Sequence, residues 1–256
     1  MTGGVRRDSG GPDDGAAART GPEGPTTLLV LAKEPVPGRV KTRLTPPYTP
    51  EQGAALAAAA LADTLALAAV VPARRRVLVL DGAPGPWLPA DAGFEVVPQA
   101  DGGLDARIAA AFAGCDGPAL LLGMDTPQLT PGLLRPVTAP DAWDGCDAWF
   151  GPAADGGFWA LGLAEPDPAL IRGVPMSVAH TGAVQRRRLV DAGLSVRDLP
   201  VLRDVDTARD AAEVAGQCAA PRADGGTYGA VDDGRAYGGG TRFAAAYAEL
   251  RPAVAR

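Results

Sequence analysis

The sequence is poor in residues that many enzyme sites depend on. It contains a single histidine, His180, and three cysteines that form no CxxC pair. This scarcity excludes the usual zinc constellations and predicts that the cysteines are buried or incidental thiols. No GxSxG segment is present, and a Ser/His/Asp site would have to be built on His180 alone.

The sequence also lacks long hydrophobic runs and an excess of positive charge. The longest apolar stretch, residues 54–71, is interrupted by Asp63 and Thr64 and is alanine-rich, which favours a helix over a membrane span. Arg6 and Arg7 are not followed by an apolar segment, so we expect a cytoplasmic protein with no membrane insertion. The net charge of −6 argues against a nucleic-acid-binding protein but is compatible with a small phosphorylated ligand.

The composition is typical of one globular domain. Hydrophobic residues make up 46% of the chain and charged residues 21%. Residues 1–25 have almost no large apolar side chains and are predicted to be a disordered leader. Residues 26–218 are predicted to form the domain, and residues 219–256 a Gly-rich linker, or a flap over the site, followed by a helix. The sequence does not fix the oligomeric state, and a homodimer is left open.

Short apolar runs alternate with helical patterns along the domain. The strands are predicted at 27–32, 76–80, 94–97, 118–123, 147–151, 157–162 and 196–199, and the helices at 49–71, 104–113, 131–137, 184–192, 208–217 and 242–250. This alternation predicts a single-domain α/β fold with a mostly parallel, Rossmann-like sheet and helices on both faces. The pair at 147–162 is expected to be antiparallel, and the site is expected at the carboxyl ends of the strands.

The loop after the first strand is the strongest functional signal. It reads Ala32-Lys-Glu-Pro-Val-Pro-Gly-Arg-Val-Lys-Thr-Arg-Leu44 and contains the only two lysines of the chain. Compact point charges between a buried strand and a helix are typical of phosphate binding, and the alternative is a solvated surface loop. The loop does not match the GxxxxGK[ST] pattern. The predicted nucleotide-binding residues in it are Ala32, Lys33, Pro37, Gly38, Arg39, Lys41 and Arg43.

Acidic residues follow two later elements. Asp125 follows a buried strand, where a carboxylate can hold Mg²⁺ or Mn²⁺ against a diphosphate. The alternative role, capping the next helix, is better filled by Thr130. Asp204 and Asp206 alternate before Thr207, and on an extended chain they would face opposite sides, so we expect one of them to reach the metal.

Three weaker signals complete the predicted site. Asp155, with Gly156, Gly157 and Phe158, forms either a hairpin turn or a close backbone approach to a ligand, and we assign Asp155 a catalytic role and the other three acceptor binding. Gln99 and Arg107 are candidate nucleotide contacts, although an exposed helical arginine is the commoner explanation. His180 is either a surface residue or an acceptor contact.

These motifs, in this order, resemble a known family. Ala-Lys-x-Pro-x-Pro-Gly-x-x-Lys-Thr-Arg-Leu, Gly-x-Asp-Thr-Pro, Gly-Pro-x-x-Asp-Gly-Gly-Phe and Asp-Val-Asp-Thr are similar to those of the bacterial GT-A-type glycosyltransferase-like family, which includes glycosyltransferases of arsenosugar biosynthesis. The resemblance implies a nucleotide-diphospho-sugar transferase fold, with nucleotide phosphates over the 33–43 loop. It also implies a divalent metal on Asp125, with Asp206 as the second carboxylate.

Two reactions fit this set of residues. With a nucleotide sugar, the metal and Lys41 neutralise the departing diphosphate while a small-molecule acceptor attacks the anomeric carbon. With a nucleoside triphosphate, an acceptor phosphate attacks the α-phosphorus and pyrophosphate leaves. The sugar donor is favoured because the family leans that way and because the first loop lacks the Gly-Gly-x-Ser-x-Arg form of nucleotidyltransferases. A regulatory nucleotide-binding module without catalysis is the third reading, and the presence of both aspartates weighs against it.

Overall fold

The computed structural model describes residues 22–90, 92–219 and 241–250, and these contain seven strands and six α-helices. The strands are β1 (Thr27–Lys33), β2 (Arg75–Asp81), β3 (Glu95–Pro98), β4 (Ala119–Gly123), β5 (Ala148–Pro152), β6 (Phe158–Leu163) and β7 (Val196–Asp198). The helices are α1 (Pro50–Val70), α2 (Leu104–Ala113), α3 (Pro131–Thr138), α4 (Thr181–Asp191), α5 (Ala208–Ala219) and α6 (Arg242–Leu250). Short 3₁₀ turns lie at Thr42–Leu44 and Pro168–Leu170.

All seven strands form one sheet in the order β3-β2-β1-β4-β6-β5-β7. The pairs along it are parallel except for those that β6 makes with β4 and β5, which are antiparallel. The predicted fold class and the predicted antiparallel pair are therefore confirmed. The carboxyl ends of β1, β2, β3 and β4 meet at the same edge of the sheet, as expected for strands joined by helical crossovers.

Both faces of the sheet are covered, which explains the continuous apolar runs in the sequence. Leu28 and Val30 point into a buried cluster on one face, and Leu29 between them points into a second cluster on the other. By length and composition, α1 could cross a membrane, but 67% of that apolar stretch is buried inside the protein. It is therefore hydrophobic on several sides because it is a core helix.

A third buried cluster joins the C-terminal helix to the loops near the edge of the sheet. This C-terminal cluster consists of Leu44, Tyr48, Leu56, Ala60, Val205, Ala211, Val214, Ala215, Cys218 and Phe243. The helix α6 contributes Phe243 and packs against α1 and α5.

The element boundaries differ from the prediction mainly at α4. This helix begins at Thr181, three residues before the predicted start, because a side-chain and backbone hydrogen-bonded turn at 175–181 leads directly into it. Most of the predicted leader and residues 220–240, predicted to be a linker or a flap, lie outside the described residues. Residues 22–25 are described, and Pro22 O accepts a hydrogen bond from Ala73 N at 3.0 Å.

Candidate functional site

A cleft of about 870 Å³ opens at the carboxyl ends of the central strands. Its walls come from the loop after β1, the start of α2, the end of β4, the β5–β6 turn, the segment before α4 and the segment before α5. The charged and amide side chains that line it are Lys33, Arg39, Lys41, Arg43, Gln99, Arg107, Asp125, Asp155, Asp204 and Asp206. The cations and carboxylates that the sequence places far apart thus share one cleft.

Lys41 lies at the centre of this charged group. Its side chain is only 7% exposed, and its Nζ is 2.7 Å from Asp125 Oδ1 and 3.2 Å from Asp206 Oδ1. Burial alone would lower the pKa of Lys41, but the negative charges of Asp125 and Asp206 outweigh it and raise the pKa. Lys41 is therefore a charged lysine. Its backbone is left-handed, with φ 51°, which is uncommon for a residue other than glycine.

Backbone hydrogen bonds hold the two aspartate segments side by side. Val205 N donates to Asp125 O at 2.9 Å, and the side chain of Gln128 donates to Arg203 O at 2.7 Å. Asp206 Oδ2 also accepts from Arg43 Nη2 at 2.8 Å. The residues before α5 are thereby fixed beside the end of β4.

The placement of Asp204 corrects the sequence-based expectation. Asp204 and Asp206 were expected on opposite faces of an extended chain, but this segment lies outside the strands and both side chains line the cleft. Asp204 Oδ1 is buried and has no hydrogen-bond partner among the residues that the structure describes. Burial raises the pKa of Asp204 to about 7, and the charges of Asp125 and Asp155 add to the effect.

The chemistry of the acidic group fits a hard divalent cation, with one obstacle. Oxygen ligands from carboxylates suit Mg²⁺ and Mn²⁺, and the unpartnered Asp204 oxygen is free to bind one. Asp125 Oδ1 makes the ion pair with Lys41 but no hydrogen bond of good geometry. Within the described residues, no three His, Cys, Asp or Glu side chains are already arranged as a metal site. Asp125 Oδ1 and Asp206 Oδ1 both contact the Lys41 ammonium, so a metal on these two oxygens would have to displace it.

The other end of the cleft is built around Gln99 and Arg107. The Gln99 amide donates to Ala32 O at 2.8 Å and accepts from Arg107 Nη1 at 3.0 Å. Arg107 Nη1 also donates to Asp81 Oδ2 at 2.8 Å, so this arginine is held in place rather than extended into solvent. Both side chains are fixed where the predicted nucleotide would lie.

Lys33 and Arg39 differ from these paired cations. Both line the cleft, and neither forms an ion pair with another side chain in the part of the chain that the structure describes. They are the cations left available for a phosphate group. Pro37 and Gly38 do not line the cleft; they form the turn that leads into Arg39, where Gly38 has a φ of 75°. Ala32 lines the cleft at the end of β1.

Asp155-Gly-Gly forms the predicted hairpin turn between β5 and β6, and the close backbone approach at Gly156 is to protein. Asp155 Oδ1 accepts from Gly157 N at 2.8 Å, as in an Asx turn. A Cβ on Gly156 would lie 1.8 Å from Ala179 O, and Gly182 N donates to Gly156 O at 2.8 Å. Glycine is therefore required here for packing against the segment before α4.

Of the predicted acceptor contacts, the structure brings only two into the cleft. Gly157 and Phe158 line it, whereas Gly156 packs against Ala179 and His180 is exposed outside the lining. His180 lies at the start of α4 and makes no side-chain capping bond.

Sequence reasoning missed the residues that precede His180. Met176, Ser177 and Val178 line the cleft beside the β5–β6 turn, which packs against Ala179. Ser177 has a φ of 59°, a left-handed conformation that is rare for serine and is often found at functional sites. No local sequence pattern marks it.

The fold defines the class of protein to which this chain is similar. Its mostly parallel α/β sheet is the fold of nucleotide-diphospho-sugar transferases, and the cleft lies at the edge of the sheet where such folds bind ligands. The resemblance drawn from the motifs is confirmed at this level.

Comparisons with known proteins agree with this class. Residues 57–178 match the model of a family described as "Uncharacterized protein conserved in bacteria (DUF2064)". The chain is 26% identical to a protein from Desulfovibrio desulfuricans G20 whose assignment as a nucleotide-diphospho-sugar transferase is provisional; the match covers 72% of this chain and 83% of that one, with a TM-score of 0.63. None of the curated proteins matches the sequence.

Two mycobacterial structures are also similar. An Rv0371c homologue from Mycobacterium sp. strain JC1 is 24% identical over 76% of this chain and 98% of that one, with a TM-score of 0.47. A manganese complex of Rv0371c from Mycobacterium tuberculosis H37Rv is 22% identical over 75% of this chain and 98% of that one, with a TM-score of 0.44.

Proposed function

We propose that this protein is a metal-dependent transferase that uses a nucleotide-activated donor, and that it is a glycosyltransferase that moves a sugar from a nucleotide sugar to a small-molecule acceptor. The observation that carries the proposal is the convergence of Lys41, Asp125 and Asp206 in one cleft with the unpaired cations Lys33 and Arg39. Such a cleft matches a ligand that carries phosphates and a divalent cation together.

The donor would lie across the half of the cleft nearest β1 and β3. Gln99 and Arg107 would contact the nucleoside end or its phosphates, and their mutual hydrogen bond holds them ready to do so. Lys33 and Arg39 would bind the diphosphate through charge-assisted hydrogen bonds. Both are exposed, so they can adjust to the ligand without losing an existing ion pair.

The carboxylates would hold Mg²⁺ or Mn²⁺ beside that diphosphate. Asp125 and Asp206 are the proposed ligands, and Asp204 joins them because it lines the same cleft and its Oδ1 has no hydrogen-bond partner within the described residues. A bound divalent cation there would supply charge neutralisation for the departing diphosphate. Once one carboxylate turns to the cation, the Lys41 ammonium becomes available to the same leaving group.

The acceptor would enter from the β5–β6 turn. Gly157, Phe158, Met176 and Ser177 form that side of the cleft. Among the described residues, the one hydrogen bond of the Asp155 carboxylate uses Oδ1, which leaves Oδ2 to accept the proton of an attacking hydroxyl or thiol. The acceptor is thus held opposite the phosphate-binding cations.

Ligand binding distinguishes this proposal from its alternatives. Thermal-shift measurements with UDP-, GDP- and dTDP-sugars and with nucleoside triphosphates, each with and without Mn²⁺, should show metal-dependent stabilisation by a nucleotide sugar. A ligand at about 100 times its Kd stabilises a protein by about 2.7 kcal/mol. Stabilisation by a triphosphate alone would instead support a nucleotidyltransferase that joins NMP to a phosphorylated acceptor.

A pair of matched variants tests the role of the metal site. Asp125→Asn should abolish metal-dependent stabilisation and turnover while the protein remains folded. Asp198→Asn changes an exposed aspartate of β7 that pairs with Arg186 of α4 outside the cleft lining, and it should leave metal-dependent stabilisation and turnover intact. Equal stabilisation of the two variants by the metal would show that Asp125 is not a metal ligand. Nucleotide binding without turnover in the wild type would favour a regulatory nucleotide-binding module.

A further inference from the structure

The C-terminal helix α6 is anchored to the domain by a buried carboxylate. Asp63, in the middle of α1, accepts hydrogen bonds from Arg242 N at 2.9 Å and from Phe243 N at 2.8 Å. These are amide groups of the first turn of α6, which have no partner within their own helix. The Phe243 side chain is fully buried. The contact is therefore a specific docking site for the helix and not a loose surface association.

From this anchor, contacts continue to the Lys41 turn. Tyr247 on α6 packs against the C-terminal cluster in which Tyr48 is buried. Burial raises the pKa of Tyr48 to about 12, and the neighbouring Tyr247 side chain adds to the effect. Tyr48 N donates to Leu44 O at 3.1 Å, and Leu44 N donates to Lys41 O at 2.9 Å. Helix α6 is thus connected, through its packing against the Tyr48 cluster and two successive backbone hydrogen bonds, to the residue that holds Asp125 and Asp206.

The same cluster reaches the acidic segment on the other side of the site. Val205 belongs to the C-terminal cluster together with Leu44 and Phe243, and it is 1% exposed. It lies between Asp204 and Asp206, and its N–H donates a hydrogen bond to Asp125 O. One buried cluster therefore underlies both the lysine and the carboxylates of the cleft.

We propose that α6 is a positioning element of the cleft, and that Phe243 and Tyr247 are positioning residues that keep the Lys41 turn and the Asp204–Asp206 segment in register. Lys41 adopts a left-handed backbone, which persists only where the surroundings enforce it. The packing of Leu44 and Tyr48 beneath α6 provides that enforcement. The assignment of a function to the site rests on the proposal above, but the mechanical role of α6 does not.

The test compares two buried phenylalanines in the full-length protein. Phe243→Leu loosens the C-terminal cluster, whereas Phe112→Leu makes the same change at a fully buried position in the cluster on the other face of the sheet. Tyr247→Phe removes the hydroxyl that helps raise the pKa of Tyr48, with little change in packing, and this variant is used if the Phe243 variant does not fold. Two readouts are used: amide hydrogen exchange of Leu44, Thr45 and Tyr48, and affinity for Mn²⁺ alone.

We expect Phe243→Leu to speed exchange of these three amides at least tenfold and to weaken Mn²⁺ binding, with a smaller change in the same direction for Tyr247→Phe. Phe112→Leu should lower the melting temperature without either local effect. The proposal would be overturned if these three amides exchanged at the same rate in the α6 variants as in the Phe112→Leu control. If the wild-type protein binds no Mn²⁺, the proposed function fails, and the exchange data alone then decide the role of α6.

Discussion

Replacing Asp204 with asparagine should make the metal-free protein more stable above neutral pH. Asp204 is buried close to Asp125 and Asp155, and one of its oxygens has no hydrogen-bond partner. Its pKa of about 7 in the folded protein lies well above the ordinary value of 3.8. Ionising this group therefore costs the folded protein free energy that the unfolded chain does not lose.

The sign and the size of the effect follow from the two pKa values. The folded protein binds the Asp204 proton more tightly than the unfolded chain does, so the stabilising contribution is complete below the unfolded pKa and is lost as the pH rises through about 7. A pKa difference of one corresponds to about 1.4 kcal/mol, which gives a cost of about 4 kcal/mol at pH 8. Asp204→Asn should recover about 2 to 4 kcal/mol of this, because the amide must also be buried.

Urea denaturation in EDTA at pH 8 and at pH 4.5 measures this effect. The Asp204→Asn variant should exceed the wild type in stability at pH 8, and the difference should shrink at pH 4.5, where the wild-type carboxyl is protonated. The same variant should gain less stability from Mn²⁺ than the wild type does. The reasoning is refuted if the variant is no more stable than the wild type at pH 8, or if the difference is the same at both pH values.

Three further changes should show which contacts hold the site. Gly156→Ala should lower the melting temperature, because the new Cβ would collide with Ala179 O. Lys41→Met should lower the free energy of unfolding in urea by about 1 to 3 kcal/mol. This is less than the loss for a fully buried ion pair, because the two aspartate partners are partly exposed, and Mn²⁺ should restore part of it. Asp63→Ala should cost about 1 to 3 kcal/mol by leaving two buried amides of α6 unpaired, measured in the same way.

Each of these changes has a control within the chain. Gly173→Ala imposes a similar backbone strain at a φ of 78° with no atom within 4 Å of the new Cβ, so it should cost less than Gly156→Ala. Lys33→Met removes an exposed lysine without an ion pair to the described residues and should leave stability unchanged. Thr130→Ala removes one ordinary helix cap and should cost less than Asp63→Ala. Equal effects within any of these pairs would contradict the corresponding explanation.

Much of the fold was predictable because its signals are local. β1, β2 and β4 each contain an uninterrupted run of at least four apolar residues, and only strands covered on both faces require this. The position of Asp125 followed from the rule that loops at the carboxyl ends of parallel strands share one edge. The sequence therefore predicts that Asp125 and the Lys41 loop lie at the same edge of the sheet.

The rest of the site depends on contacts between distant residues. Asp204 lines the cleft because two hydrogen bonds, from Val205 N to Asp125 O and from the Gln128 side chain to Arg203 O, fix its segment beside β4. The periodicity of apolar residues in the local sequence does not predict those hydrogen bonds. The left-handed backbone of Ser177 is likewise set by its surroundings. His180 was a candidate because it is the single histidine of the chain. A residue's rarity does not predict its position, and His180 lies outside the cleft lining.

The ion pairs of Lys41 mean that this protein carries its own counter-ion. Lys41 is part of the chain and balances negative charge on Asp125 and Asp206, so neither dilution nor a chelator can remove this positive charge. Part of the charge of the acidic group is therefore balanced before any cation is taken up from solution. A divalent cation bound as proposed would exchange one positive charge for another, rather than create charge balance from nothing.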